Sequence, residues 1–242
     1  MALHFLLETA TGAAAGDVVT LTGAEAKHAA VVRRLRVGEA ITIGDGAGVW
    51  LTGVAESVAP AQVDVRIAER LESPSPSPRI VLVQALAKGD RDELAVQAAC
   101  ELGVDEIVPW QASRSVSRWE GAKAVKGRER WASIVREAAK QAHRAWVPEV
   151  SEPVSTAQLA VRATSQRMLL LDPTATARLS EIESDGRDLV LVVGPEGGIS
   201  AEELSRLTEA GAERVLLGDT VLRTSTAGPA AIAVLSVALA RW

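Results

Sequence analysis

One cysteine, Cys100, stands in a chain of 242 residues. That excludes an internal disulfide and any cysteine-cluster zinc site, and no metal is expected. Aromatic residues are also scarce: one Phe, no Tyr and six Trp, too few for extensive base stacking across an open sheet face. No basic segment precedes the short apolar run of MALHFLLETA, so no secretory leader is expected. The most apolar late stretch, Ala230 to Ala240, is broken by Ser236 and falls short of the roughly 20 residues that span a bilayer. What is present is a hydrophobic fraction of 48% and a charged fraction of 24%, the balance of a chain that packs a globular core.

The net charge of −5 by itself argues against a nucleic-acid partner, but its distribution does not. Between Arg114 and Arg144 stand nine bases and three acids, a local excess of six positive charges. A local basic field attracts polyanions whatever the total charge; the alternative is a solvated, charged helix face.

SPSPSP, residues 73–78, marks a linker, because alternating proline favours extended backbone. Upstream, AITIGDG, GVWLTGVAE and AQVDVRIAERL read as short strands between Gly, Asp and Pro turns, so residues 1–72 form a small β-rich domain. Downstream, in 79–242, strands and helices alternate. RIVLVQALA, DEIVPW, RMLLLD, LVLVVG and RVLLG are strands. Helices are expected over Asp90–Leu102, Glu129–Trp146, Ser200–Ala210 and from about Thr226. This alternation specifies a parallel sheet covered by helices. In Glu129–Trp146, Arg136, Lys140 and Arg144 form an i, i+4, i+8 row away from the apolar face. The last helix is apolar nearly all round, so the core or a second subunit must cover it.

LVLVVGPEGGIS, residues 189–200, drives an apolar strand into a glycine loop, and Ser200 with Glu203 then opens a helix as a capping box. Strand, glycine loop and helix N-terminus together build ligand sites. The loop lacks the Gly-Lys-Ser/Thr of a phosphate-binding loop and does not read Gly-x-Gly-x-x-Gly, which excludes two nucleotide classes. A second strand enters LLGDTVLRTSTAGPAA, residues 216–231. Two ligand-type loops at the carboxyl ends of neighbouring strands predict a shared pocket.

LVVGPEGGIS followed by VLLGDTVLRTSTAGPAAIAVL resembles the signature of the RsmE family, the small-subunit ribosomal RNA uridine-N3 methyltransferases of the SPOUT superfamily. KHAAVVRRLRVGE, QALAKGDRDELAVQAACELGVDEIVP and RWASIVREAAKQAHR resemble the family's other blocks, so the likeness covers the whole chain. Ser225 departs from it, standing where the family often has Glu, so a carboxylate there is not essential if the activity is kept.

The resemblance implies a PUA-like β-barrel over 1–72. It implies an α/β methyltransferase domain over 79–242, with a parallel sheet and a C-terminal trefoil knot. It further implies a cytoplasmic homodimer, S-adenosylmethionine as cofactor, and a uridine in 16S ribosomal RNA, naked or in an assembling subunit, as substrate. The cofactor residues it marks are Leu171, Val193, Gly194, Pro195, Glu196, Gly197, Gly198, Leu217, Gly218, Leu222, Arg223 and Thr224. Arg223 is the candidate to support the uridine anion or a phosphate. Glu196 is the one carboxylate of the glycine motif, read as a base or, in preference, as a brace for the loop. RNA contacts fall to His28, Arg33, Arg34, Arg36, Arg114, Arg136, Lys140 and Arg144. The alternatives are a related enzyme acting on transfer RNA and a non-catalytic RNA-binding assembly factor.

Overall fold

The computed structural model describes residues 3–242. The chain divides into two units. One runs to Ser75 and takes in Ala139–Val147; the other comprises Pro76–Ala138 and Pro148–Trp242.

The first unit is a five-stranded sheet in the order β1-β3-β4-β5-β2. The strands are β1 (Leu3–Leu6), β2 (Val18–Thr22), β3 (Ala40–Gly44), β4 (Val49–Ala59) and β5 (Gln62–Glu72). β1 and β3 are parallel and the other pairs antiparallel. Period-2 alternation puts Val63, Val65 and Ile67 of β5 in the core with Phe5, Leu21, Ile43 and Leu51. Two register shifts bend the β4–β5 ribbon. At the first of them a side chain on Gly53 would sit 2.5 Å from the Arg66 carbonyl, so only glycine fits. Between β2 and β3 lie α1 (Gly23–Lys27) and a π-helical turn, His28–Val32.

The second unit is built on a six-stranded, all-parallel sheet in the order β11-β9-β10-β6-β7-β8. Its strands are β6 (Ile80–Ala85), β7 (Glu106–Trp110), β8 (Glu149–Val150), β9 (Arg167–Leu171), β10 (Leu189–Val193) and β11 (Glu213–Val215). Every residue of β6, β7 and β10 is buried, as continuous apolar runs require when helices cover both faces. The helices are α2 (Arg91–Glu101), α3 (Ala122–Gln141), α4 (Thr156–Ala163), α5 (Ala201–Glu209) and α6 (Thr224–Ala238). α6 packs on α2, β10 and β6. Ser200 caps α5 through the expected box with Glu203. α4 escapes the sequence reading because it is short, although Ser155 and Gln158 form a second capping box.

Two sequence expectations fail in one segment. The helix expected over Glu129–Trp146 instead runs from Ala122 to Gln141, because His143 takes a left-handed φ of 54°. The i, i+4, i+8 row therefore does not exist as drawn: Arg144 lies beyond the helix end. Lys140, in its last turn, is buried with its Nζ 2.9 Å from the Glu25 carboxylate of α1. The end of this segment, within Ala139–Val147, also groups with the first unit, whereas the sequence reading places all of 79–242 in the second. Trp146 donates to the Ser73 carbonyl at 3.0 Å, and its ring lies against Gly48, where a side chain would approach it to 2.8 Å.

Candidate functional site

A cavity of about 650 Å³ opens at the carboxyl ends of β9, β10 and β11, inside the roughly 300–1,000 Å³ range of small-molecule sites. Three loops form it: 171–174 after β9, 193–199 after β10 and 216–224 after β11. Parallel strands deliver all three to one edge of the sheet, the usual ligand edge of open α/β folds.

The β10 loop is held from several sides. Gly198 closes a turn by donating to the Pro195 carbonyl at 2.8 Å and has a φ of +71°, a conformation that favours glycine. A side chain at Gly194 would meet Ile199 Cγ1 at 2.8 Å, so the loop folds back on itself only without one. Glu196 turns outward: one carboxylate oxygen accepts from the Lys88 amide at 3.1 Å and from Arg91 at 3.0 Å. Burial raises the Glu196 carboxyl, but these hydrogen bonds and the Arg91 charge outweigh that and hold it below the ordinary range. Behind the loop, the Glu203 carboxylate accepts from the amide and hydroxyl of Ser113, from Thr156 and from the Ser200 amide. Its burial is likewise outweighed by those bonds.

The floor is tied to the sheet through Thr224, which accepts from Gln84 Nε2 at 2.9 Å and donates to the Gly194 carbonyl at 2.9 Å. On the β9 side, Asp172 accepts from the amide and hydroxyl of Thr174 and, at 2.7 Å, from Arg214. Burial pushes its carboxyl up, and these hydrogen bonds bring it below the ordinary range.

Leu171, Val193, Gly194, Pro195, Glu196, Gly198, Leu217, Gly218, Leu222, Arg223 and Thr224 all line the cavity, whereas Gly197 does not; its carbonyl accepts from Arg114 at 2.9 Å. Arg223 is exposed at the N-cap position of α6, with no side-chain bond among the described residues. Asp172, Thr174 and Arg91 also line the cavity. Sequence reasoning missed them, although an Asp-Pro-x turn directly after the apolar RMLLL run was a usable signal.

In the first unit, Arg33, Arg34, Arg36 and Val37 are exposed on the short loop that follows the π-helical turn, with Val31 and Val32 exposed at the end of that turn. Arg34 has a left-handed φ of 55°. His28 is half-buried, edge-on to Phe5 with ring centres 6.0 Å apart. In the second unit, Arg114 is exposed and Arg136 half-buried.

The sequence profile of the RNA methyltransferase domain matches residues 73–236, and that of the RNA methyltransferase PUA domain matches residues 21–67. A ribosomal RNA small subunit methyltransferase E from Mycobacterium bovis is 43% identical over 233 residues, covering 94% of this chain and 89% of its own. The chain belongs to the RsmE family of RNA methyltransferases. The crystal structure of that methyltransferase from Neisseria gonorrhoeae, bound to S-adenosylmethionine, superposes with a TM-score of 0.86 at 29% identity, covering 98% of each chain. A Legionella pneumophila protein solved with its cofactor SAM bound gives 0.88 at 33% identity, also covering 98% of each chain. The five-stranded sheet and the parallel sheet described above are thus the PUA and methyltransferase parts of an RsmE chain.

Proposed function

We propose that this chain is an S-adenosylmethionine-dependent methyltransferase that modifies N3 of a uridine in small-subunit ribosomal RNA. The three-loop cavity at the carboxyl edge of the parallel sheet carries the reading. Its volume, its leucine and valine walls and its glycines suit a ligand that is part flat nucleoside and part amino acid. When bound, S-adenosylmethionine supplies a methyl group on a positively charged sulfur. Leu171, Val193, Leu217 and Leu222 keep water from it, while the glycine loops offer backbone groups to its polar parts.

Uridine N3 becomes a nucleophile on losing its proton. The carboxylates lining the cavity are weak bases: Asp172 is committed to Arg214 and Thr174, and Glu196 to Lys88 and Arg91. Water takes the proton in this reading, and Glu196 serves as a brace. Arg223, at the cavity edge with no side-chain partner among the described residues, donates to a base oxygen and stabilises the uridine anion. A positive donor and an anionic acceptor neutralise each other as the bond forms, so apolar walls favour the transfer.

The same reading gives the finer architecture. The first unit closes as a PUA-like barrel that meets RNA through His28, Arg33, Arg34 and Arg36, with Arg114, Arg136 and Arg144 adding to the basic field. The chain after β11 threads a trefoil knot, supported by the pairing of Leu216 with the 177–179 segment. Exposed Leu94, Val221, Val237 and Trp242 mark the face that a second copy covers. Among the described residues no helix is long and apolar enough to cross a membrane, which agrees with work in the cytoplasm.

Incubation with labelled methyl donor and either naked ribosomal RNA or assembled small subunits, followed by mass mapping, tests the reading. Label on N3 of one small-subunit uridine supports it; label confined to transfer RNA, or none, overturns it. Arg223→Ala is expected to keep cofactor affinity and lose most turnover.

A further inference from the structure

A second cavity, of about 420 Å³, lies in the same unit between the 87–93 segment, the loop carrying Trp119 and the first turns of α3. Lys123, Lys126, Gly127 and Arg130 line it at i, i+3, i+4 and i+7, which is one face of a helix. Gly127 costs α3 stability, and its neighbourhood explains its presence. A side chain there would lie 2.5–2.7 Å from the Trp119 indole, so the missing Cβ is the slot in which that ring sits. Trp119 is fixed further by its amide donating to Gln111 at 2.9 Å and by edge contact with buried Trp131, ring centres 5.1 Å apart.

Positive charge is in excess: Lys88, Lys123, Lys126 and Arg130 line the cavity with Asp92 and Glu93. Lys88, Lys123 and Lys126 have no ion pair among the described residues. The acids facing the cavity are already committed: Glu93 to Arg130 at 2.9 Å, and Asp92 to the amides of Ala87 and Glu93. A held indole half-buried among uncompensated cations suits a ligand with a flat face and a negative charge. The two cavities have adjoining walls: Glu196, on the wall of the first, accepts from the amide of Lys88, on the wall of the second, at 3.1 Å.

We propose that this cavity binds a nucleotide of the RNA substrate next to the one being modified, its phosphate on Lys123 and Lys126 and its base on Trp119. The proposal rests on the ribosomal RNA reading above. The site adds a stacking surface that the few aromatics of the chain left unexpected, and it makes recognition depend on an unpaired stretch of RNA.

The test uses the full-length protein, small-subunit ribosomal RNA as the probe in filter binding across a salt series, and calorimetry with S-adenosylmethionine. The Lys123→Ala/Lys126→Ala variant is expected to bind RNA more weakly, with a log–log salt slope shallower by about 0.7 for each phosphate it no longer neutralises. Trp119→Leu, which keeps apolar bulk over Gly127, should lose roughly 5- to 150-fold in RNA affinity at unchanged slope. Both should bind S-adenosylmethionine as the wild type does. Wild-type RNA affinity and slope in the double lysine variant overturn the proposal, and that variant decides the matter should Trp119→Leu fail to fold. A wild type that binds ribosomal RNA and cofactor but transfers no methyl group overturns the functional reading alone, and the affinities still decide the cavity.

Discussion

Gln84 and Thr224, 140 residues apart, meet at 2.9 Å beneath the glycine loop. Gln84 is fully buried in β6, and Thr224 opens α6 while reaching the Gly194 carbonyl. One hydroxyl thus joins the central strand, the last helix and the loop that forms the cavity wall.

Thr224→Val keeps the shape of that side chain and removes its hydroxyl, leaving the Gln84 amide and the Gly194 carbonyl without this partner. Buried polar groups so stranded cost about 1–3 kcal/mol. A urea midpoint lowered to match, with S-adenosylmethionine affinity in calorimetry falling at least several-fold, is the expected outcome; Thr224→Ser should restore most of both.

Glu196→Gln separates a brace from a base. The carboxylate is already ionised well below neutrality, because its hydrogen bonds and Arg91 outweigh burial. Methylation rates above pH 6 should therefore carry no inflection from Glu196. The Gln variant should keep turnover within several-fold, with any loss seen in cofactor KM rather than in the pH profile. A rate collapse that activity at high pH restores would make Glu196 the base.

Lys140→Met should act on stability before it acts on RNA. The Lys140 amine and the Glu25 carboxylate are both largely buried, and breaking such a pair from one side costs about 3–5 kcal/mol. Thermal unfolding of the single variant should fall sharply. The Lys140→Met/Glu25→Leu double variant, which removes both charges of this pair, should recover part of the loss. An unchanged melting temperature in the single variant would contradict this.

His4 gives the first unit a pH dependence of predictable sign. Its ring stacks on Trp50 at 4.1 Å and shares a 2.9 Å hydrogen bond with Thr42. Burial first, then the charges of His143 and Lys140, lower its pKa from 6.5 to about 4. The unfolded chain takes up the proton near pH 6.5 and the folded one does not until about pH 4. Stability is full above pH 6.5 and declines as pH falls through that window, by about 3 kcal/mol in all. Chemical denaturation from pH 7 to pH 4 should show this slope, and His4→Phe should flatten it.

The local grammar of this chain was legible without coordinates. Apolar runs such as LVLVV, the Ser200–Glu203 capping box and the prolines of 73–78 each act over a few residues, so composition and spacing decided most of the strands, the longer helices and the glycine loop, but not β1, β2 or β8. The pairing of two loops was legible too, because parallel strands leave their carboxyl ends at one edge. Tertiary structure decided the rest. Periodicity gave Arg136, Lys140 and Arg144 one helical face, but the left-handed turn at His143 ended the helix, and the Glu25 carboxylate made burial of Lys140 tolerable. Trp119 looked like one more scarce aromatic until Gly127 gave it a slot, and Asp172 read only as the end of the RMLLLD strand until the fold set it on the cavity wall. Sequence acts through neighbours along the chain. Burial, ion pairing and the filling of a Cβ-sized gap depend on residues tens of positions away, and those distances exist only once the chain has folded.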